Sequence, residues 1–376
     1  MGSSVKDVNV FATAPSGASA PDSITKVGND TFVEYGNGAD STGANGSSQV
    51  VEYGQYGRII ASYTLAGTVD GLKYNPQNGL VYALQNQDGN STLTTINPKT
   101  GQTSQPFSYA QPSSSRGYDD IVFKGRQVFE SYTNPVGNGD AVIVRLEHGN
   151  GPSGSLQTVP ILNSDATGLN TVTGQRNQPL PITDPDSLKV APNGDLILTG
   201  ASDGVIADIH NPGQANQQVR FTQVTDANGN AASGLDDVIK PSATSGTFQL
   251  TNTSGNEVLS FSDSRLNPND YYASVAGLGG FGQIDPHTGV FTLLVPASGA
   301  HGLTFTSGPA AGANFFGQAA SAFSAPASVA DLAQALHDGP SGAGTSAPTL
   351  GQDAASVGDL AAPLAHQHAQ ATKFFG

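Results

Sequence analysis

The chain of 376 residues contains no cysteine and no tryptophan, and it has a single methionine. Without thiols, it can form neither a disulfide nor a thiolate metal site. Charged residues make up only 12% of the chain, and the net charge of −15 argues against nucleic acid or an anionic membrane surface as a partner. No apolar run reaches the length of a membrane-spanning helix. A membrane-embedded or disulfide-stabilised protein is therefore not expected.

Turn-forming residues are abundant instead, with 47 glycines and 23 prolines. Together with Ser, Thr, Asn and Asp they separate short apolar runs, which is typical of a turn-rich β protein. The first residues show no basic segment followed by an apolar core, so no signal peptide is visible. The scarcity of lysine and the absence of cysteine nevertheless resemble exported bacterial proteins. We therefore expect an extracytoplasmic or secreted location.

A three-residue motif recurs along the chain: Asp, then a small or acidic residue, then an aliphatic residue. Its copies are Asp22-Ser23-Ile24, Asp70-Gly71-Leu72, Asp119-Asp120-Ile121, Asp186-Ser187-Leu188 and Asp236-Asp237-Val238, with His301-Gly302-Leu303 as a sixth that begins with histidine. Three of the five spacings are 48, 49 and 50 residues, and a period of this size in an all-β sequence indicates propeller blades.

The repeat predicts an all-β fold, a six-bladed β-propeller over residues 1–318. The two long spacings, 67 and 65 residues, predict polar surface loops near 163–181 and 252–274; seven blades remain the alternative if one of them contains a degenerate blade. The lone apolar run at 8–12 precedes the first motif, as comparable runs precede the later ones. It is predicted to be the outer strand of the last blade, which closes the ring.

Residues 319–376 differ in composition, being rich in Ala, Gly and Ser. Two related stretches, 328–333 and 356–361, each combine Ser at an N-cap position, Asp in the first turn and aliphatic residues at helical spacing. They predict two short helices in a C-terminal extension. Since such short helices are marginal in water, we expect them to pack on the propeller, on a protein partner or on another copy of the chain, or else to remain frayed.

The motif also predicts a site on the propeller axis, because the starts of the innermost strands gather at one mouth of the central channel. The candidate metal ligands are Asp22, Asp70, Asp119, Asp186, Asp236 and His301. Crowded carboxylates raise one another's pKa, and a divalent cation, Ca²⁺ first, would neutralise them; one imidazole also suits Zn²⁺ or Mn²⁺. The alternative is that each Asp bonds the backbone of the next blade. Glu34, Glu130 and Arg116 are further candidates for a ligand cleft at the channel.

The segment from Pro185 to Leu196, with Asp186-Ser187-Leu188 followed by Pro192-Asn193-Gly194-Asp195, resembles the blade repeat of the regucalcin and gluconolactonase family and of related propellers with NHL-type repeats. That resemblance implies one divalent ion on the axis, usually calcium, and lactone hydrolysis with an Asp as ligand and general base. Asp186 is the position that matches this Asp. Asp119, preceded by Arg116, resembles another ligand segment, whereas Asp22-Ser23-Ile24 stands in place of the family's first-blade Glu motif.

Two functions follow as hypotheses. The first is a binding or structural module, with a small-molecule ligand at the channel mouth or a partner on the C-terminal extension. The second is a metal-dependent lactone or ester hydrolase with Asp186 as its catalytic residue. The departures from the family's motifs favour the first.

Overall fold

The computed structural model describes residues 5–110, 116–135, 137, 139–147, 155–308 and 332. In this part of the chain, six sheets each form one blade. The innermost strands of the six blades contact one another in a closed cycle. The predicted six-bladed propeller is therefore confirmed, and the seven-bladed alternative is not.

The strands of each blade run from the channel outward. Blade 1 contains β2 (Pro21–Val27), β3 (Asp30–Tyr35), β4 (Ser47–Tyr53) and β5 (Ile59–Ala66); blade 2 contains β6 (Val69–Asn75), β7 (Leu80–Gln85), β8 (Thr92–Ile96) and β9 (Phe107–Ser108). Blade 3 contains β10 (Tyr118–Lys124), β11 (Gln127–Tyr132), β12 (Ala141–Leu146) and β13 (Thr158–Asn163). Blade 4 contains β16 (Pro185–Val190), β17 (Leu196–Gly200), β18 (Val205–His210) and β19 (Gln218–Gln223), extended outward by β14 (Thr167–Asn170) and β15 (Gln178–Pro179).

The last two blades are interleaved. Blade 5 contains β20 (Leu235–Ile239), β23 (Tyr271–Val275), β24 (Gly280–Ile284) and β25 (Phe291–Pro296), with a 3₁₀ turn at Ala276–Leu278. Blade 6 contains β26 (Ala300–Ser307), β21 (Gly246–Asn252), β22 (Glu257–Asp263) and β1 (Val5–Thr13). The chain thus leaves blade 5 after its inner strand, builds the middle of blade 6, and then returns.

This arrangement corrects one prediction and confirms another. The region 252–274 is not a surface loop: it contains the strand β22 of blade 6 and most of β23, the second strand of blade 5. The region 163–181 likewise contributes two strands to blade 4, and β14 pairs in parallel with β19. The N-terminal run does close the ring as expected, because β1 pairs with β22 from Val5 to Thr13.

The hydrophobic core is divided among the blades. Six buried clusters are present in the described residues, and each lies between two neighbouring blades. Between blades 5 and 6, for example, Phe248 packs against Phe281 at 4.9 Å between ring centroids. Alternate residues of the strands face alternate sides of each sheet, so every blade is apolar on both faces.

Two turns with the same sequence chemistry fix the register of the outer strands. Gly101 and Gly289 both have φ of +71°, and their amides bond the carbonyls of Asn97 and Asp285 at 2.8 Å. Glycine adopts this left-handed conformation without steric cost, which explains why both copies of the turn end in glycine.

The predicted C-terminal helices lie outside the described residues, apart from Leu332, which is helical and buried in the cluster between blades 2 and 3. The boundary at residue 318 stays a prediction. No helix in the described part of the chain has the length and apolar character needed to cross a membrane.

Candidate functional site

A β-bulge recurs at the motif in every innermost strand. In blades 1, 3, 4, 5 and 6, the first two motif residues face a single residue on the second strand; in blade 2 the register shifts at Asp70. The residues opposite the bulges are Glu34, Ser131, Thr199, Ser274 and Thr251. A bulge changes the direction of side chains and interrupts strand pairing, so the motif marks a recurrent irregularity of the inner strands at the channel.

The second motif residue connects each blade to the next. The Ser23 hydroxyl donates to the Asp70 carbonyl, Asp120 accepts the Leu188 amide at 3.0 Å, and the Ser187 hydroxyl donates to Asp237 at 2.5 Å. Asp237 in turn accepts the Leu303 amide at 2.5 Å. These four contacts join blades 1 to 2, 3 to 4, 4 to 5 and 5 to 6.

Glycine occupies the second motif position in the two remaining blades for a steric reason. A Cβ on Gly71 would lie 2.7 Å from the Asp119 carbonyl oxygen of blade 3, and one on Gly302 would lie 2.2 Å from the Asp22 carbonyl oxygen of blade 1. Non-bonded carbon and oxygen atoms cannot approach so closely. The second motif residue therefore contacts the next blade at all six interfaces, by a hydrogen bond or by close backbone approach.

The first motif residues have a different environment. His301 Nδ1 lies 2.6 Å from Asp236 Oδ2 and 3.5 Å from Asp22 Oδ1. One ligand atom from each of these three residues falls within 4.8 Å of the others. The side chains of Asp22, Asp236 and His301 are 39%, 18% and 35% exposed. The structure thus brings three of the six predicted ligands together in one potential cation site that solvent can reach.

Electrostatics connect the other three carboxylates to this group. Burial, followed by the charge of Asp22, raises the pKa of Asp70 well above its usual value. Burial and Asp70 do the same to the pKa of Asp119, and burial and Asp119 to that of Asp186. Burial and Asp236 raise the pKa of Asp22 to about 7. Burial and a neighbouring carboxylate therefore destabilise the ionised forms of these four residues, as expected where carboxylates lie close together.

His301 carries the balancing charge. Its bond to Asp236 raises the pKa of the imidazole to about 9, in spite of burial. The raised pKa favours the imidazolium form, which offsets part of the negative charge of the neighbouring carboxylates. We call these six residues, Asp22, Asp70, Asp119, Asp186, Asp236 and His301, the acidic mouth.

Glu34 lies behind the acidic mouth and is fully buried. Opposite the other bulges, the hydroxyls of Ser131 and Ser274 accept the amides of Asp120 and Asp237 at 2.8 and 3.0 Å. Glu34 makes no such bond: neither of its oxygens has a hydrogen-bond partner, and the nearby Ser48 hydroxyl instead accepts the Val69 amide. Burial and Asp22 raise the pKa of Glu34 well above its usual value.

Two buried ion pairs were missed by the sequence analysis. Lys73 lies 3.0 Å from Asp120, and Lys189 lies 2.6 Å from Asp237. Although burial favours the neutral carboxyl, Lys189 and Lys73 hold the pKa of Asp237 below its usual range. The signal was present in the repeat, since each lysine follows three residues after a first motif residue. It was overlooked because the spacing was followed only for the first position.

The other predicted cleft residues lie away from the acidic mouth. Arg116 pairs with Asp140 at 3.2 Å rather than with the ring. Glu130 is buried, and its Oε1 accepts the Tyr109 hydroxyl at 2.5 Å; burial raises its pKa to about 8. Both residues belong to the region around blades 2 and 3.

Solved propellers resemble this chain in architecture. The periplasmic gluconolactonase of Pseudomonas aeruginosa is 12% identical, covers 77% of this chain and 89% of its own, and has a TM-score of 0.45. Virginiamycin B lyase from Staphylococcus aureus is 12% identical with coverages of 80% and 96% and a TM-score of 0.44. A streptogramin B lyase is 14% identical with coverages of 74% and 72% and a TM-score of 0.40. At this identity the likeness assigns no activity.

No family model matches the sequence, and no curated protein does either. The function must therefore be argued from the residues of the channel.

Proposed function

We propose that this protein is an extracytoplasmic binding module whose acidic mouth holds a divalent cation. Asp22, Asp236 and His301 would form its centre, and Asp70, Asp119 and Asp186 would supply further oxygens. A donor set of five carboxylates and one imidazole is rich in oxygen, as Ca²⁺ prefers. Calcium is accordingly the first candidate, in agreement with the resemblance of the blade repeat.

The observation that carries this proposal is a set of buried carboxylate oxygens without partners. Asp70 Oδ2 and both oxygens of Glu34 are inaccessible to solvent and make no hydrogen bond. Buried polar atoms in folded proteins are normally satisfied, and exceptions call for an explanation. A cation at the ring would bond Asp70 directly, and it would favour the ionised form of Glu34 behind it.

A purely structural role explains the acidic mouth less well. The second motif residues already connect all six blades, through the contacts described above. The first motif residues add mutual repulsion to these contacts between blades, except where His301 pairs with Asp236 and Asp22. Destabilised charge in a solvent-accessible cleft is typical of functional sites. We infer that the first position serves ligand binding and the second serves the fold.

Metal analysis and calorimetry would test the proposal. The purified protein should bind about one Ca²⁺ per chain after removal of metal, with a clear rise in melting temperature. Asp236→Asn should abolish most of that rise. Asp195→Asn is a matched control, because Asp195 forms an Asp–His pair of similar length, 2.7 Å to His210, on the outer surface. Absence of binding to Ca²⁺, Mn²⁺ and Zn²⁺ would refute the proposal.

Metal-dependent hydrolysis of a lactone or ester at the same mouth is a second candidate. One observation favours it: the pKa of Asp22, about 7, suits a group that exchanges protons near neutral pH. The cation would supply polarisation of the carbonyl group. Asp186, the general base implied by the resemblance, has its pKa raised by burial and Asp119, so it would act as a base only once that charge was compensated.

A panel of lactones and aryl esters separates the two candidates. Turnover that requires the cation and is lost in Asp186→Asn, with cation affinity retained, would support hydrolysis. Cation binding without turnover would leave the binding module.

The C-terminal extension is proposed to recruit a protein partner or a second copy of the chain. Its composition and its two short helical patterns support this, since neither helix is long enough to be stable alone. Sedimentation of the full chain against a variant ending at residue 318 tests self-assembly. An unchanged molecular mass per particle, allowing for the deletion, would exclude it.

A further inference from the structure

Lysines are concentrated toward the other end of the innermost strands. Five of the eight lysines of the chain lie in or at the end of innermost strands, three to five residues after a first motif residue: Lys26, Lys73, Lys124, Lys189 and Lys240. Because the innermost strands begin at the acidic mouth, lysines near the ends of these strands lie toward the opposite end of the channel. In a chain with a net charge of −15, this concentration of cations is a local property of the channel.

Two adjoining hollows open at that end, with cavity volumes of 240 Å³ and 360 Å³. Both are lined by Lys73, Lys189, Val190, Ile239 and Lys240. The remaining walls are largely apolar, with Val122 and Ile197 in one and Leu303 and Phe305 in the other. No carboxylate is among the described residues that line either hollow. We call this cavity the lysine mouth.

Each of the three ammonium groups is paired with a carboxylate that does not line the cavity. Lys73 bonds Asp120, Lys189 bonds Asp237, and Lys240 bonds Asp208 at 2.7 Å. An ammonium group carries three N–H donors, and each lysine has one carboxylate partner. The Lys240 ammonium also lies 4.6 Å from the centre of the Tyr271 ring. Donors remain for a ligand in the cavity.

Two of the three paired carboxylates also bond the backbone. Asp120 accepts the amides of Leu188 and Ile121, and Asp237 accepts the Leu303 amide and the Ser187 hydroxyl. The third, Asp208, accepts the Tyr271 hydroxyl at 2.7 Å. These bonds orient the carboxylates, and through them the lysines, which is the preorganisation that an anion-binding site requires.

We propose that the lysine mouth binds a small organic anion with one carboxylate and an apolar body. The carboxylate bonds Lys73, Lys189 and Lys240, and the body lies against Val190, Ile239 and Phe305. A cavity with apolar walls and a few convergent polar groups is the usual form of a small-molecule site. The site is separate from the acidic mouth and does not depend on a cation there.

Calorimetry with octanoate in the presence of EDTA tests this assignment, with octan-1-ol and octylammonium as probes of the same length. Octanoate should bind, and the alcohol and the amine should bind at least about tenfold more weakly, since a charge-assisted hydrogen bond contributes that much. Equal binding of octanoate and octan-1-ol would overturn the role of the lysines.

Two variants locate the ligand. Val190 is 36% exposed at the rim, so Val190→Asp adds a negative charge there without touching a buried pair; it should weaken octanoate at least about tenfold. Lys240→Met should weaken it by a similar factor. Lys124→Met is the matched control, because it removes the same charge outside the lining and should leave the affinity unchanged.

The acidic mouth provides the last comparison. Asp236→Asn should leave octanoate affinity unchanged even though it disrupts the proposed cation site. If Asp236→Asn abolished octanoate binding, or if Val190→Asp and Lys240→Met both kept the wild-type affinity, the ligand would lie elsewhere and the proposal would be wrong. Failure of cation binding alone would not affect it.

Discussion

Two neighbouring positions of one repeat have opposite electrostatic characters. At the second motif position, Asp120 and Asp237 are each bonded to a lysine and to a backbone amide of the next blade. At the first position, carboxylates face one another, and Asp70 has an oxygen without a partner. The two residues of one bulge thus differ, since the second bonds the next blade and the first faces other carboxylates. On the function proposed above, adjacent residues would divide stability from ligand binding.

The largest expected effect is at the second position. Asp237→Ala would leave Lys189 buried without its counter-ion and the Leu303 amide without its acceptor. Removing one partner of a buried pair typically lowers the free energy of unfolding by about 3–5 kcal/mol. Urea denaturation would measure this loss. An equal loss of stability in Asp236→Ala, one residue earlier, in metal-free protein would contradict the contrast between the two motif positions.

A smaller effect is expected at the glycine that replaces the hydrogen bond. Gly302→Ala would place a Cβ 2.2 Å from the Asp22 carbonyl oxygen, and we expect a loss of about 1–3 kcal/mol from overpacking. Gly36→Ala is the control, since its Cβ would meet only ordinary contacts at 3.7 Å and beyond. Similar midpoints of urea unfolding for the two variants would contradict the proposed close approach between blades 6 and 1.

The pH dependence of stability distinguishes the first position from the second. In the fold, the pKa of Asp22 rises from 3.8 to about 7, so the folded state holds more protons than the unfolded state between these values. The free energy of unfolding of metal-free protein should then fall as pH rises through this window. His301, raised from 6.5 to about 9, contributes stability below 6.5 that is lost as pH rises through 9.

Calcium should reverse this trend, because binding displaces protons from its ligands. The rise in melting temperature on adding Ca²⁺ should be larger at pH 8 than at pH 5, and Asp22→Asn should reduce the difference. A calcium effect that is equal at both pH values would argue against binding at the acidic mouth.

The smallest expected effect concerns Glu34. Burial and Asp22 raise its pKa well above its usual value, which favours the neutral acid. Glu34→Gln mimics that acid in shape and charge and should change the free energy of unfolding by less than about 1 kcal/mol at neutral pH. Thermal unfolding in EDTA would measure it. A loss of several kcal/mol would show that Glu34 is ionised and paired, and would assign it to the residues that stabilise the fold.

Much of the fold could be predicted from the motif spacing, because one side-chain pattern per blade is needed to form each inner strand. The inner strands, the two outer turns and the closure by residues 8–12 all followed from local chemistry. The convergence of all six first positions stays a prediction, of which the structure shows Asp22, Asp236 and His301 with ligand atoms within 4.8 Å of one another. The second motif position was harder. Ser23, Gly71 and Asp120 differ in size and charge. Only their contacts in the structure show that each connects its blade to the next one.

The path of the chain through blades 5 and 6 could not be predicted. The hairpin from Gly246 to Asp263 has ordinary strand and turn residues, and its local sequence does not indicate which sheet it joins. Its polar turn around Thr253 was interpreted as the start of a loop. The pairing is decided by long-range contacts, such as those of Phe248 with Phe281 and Phe305.

That path has a consequence for the order in which the protein assembles during synthesis. Blade 6 takes strands from three distant segments, and its innermost strand is the last of the described strands to emerge from the ribosome. Until residue 307 is available, the hairpin β21–β22 has no partner on its channel side, and β1 can pair only with an incomplete sheet. Contacts of such long range form slowly. Closure of the ring should therefore be the late, rate-limiting event of folding, and nascent chains would expose unpaired edges until it occurs.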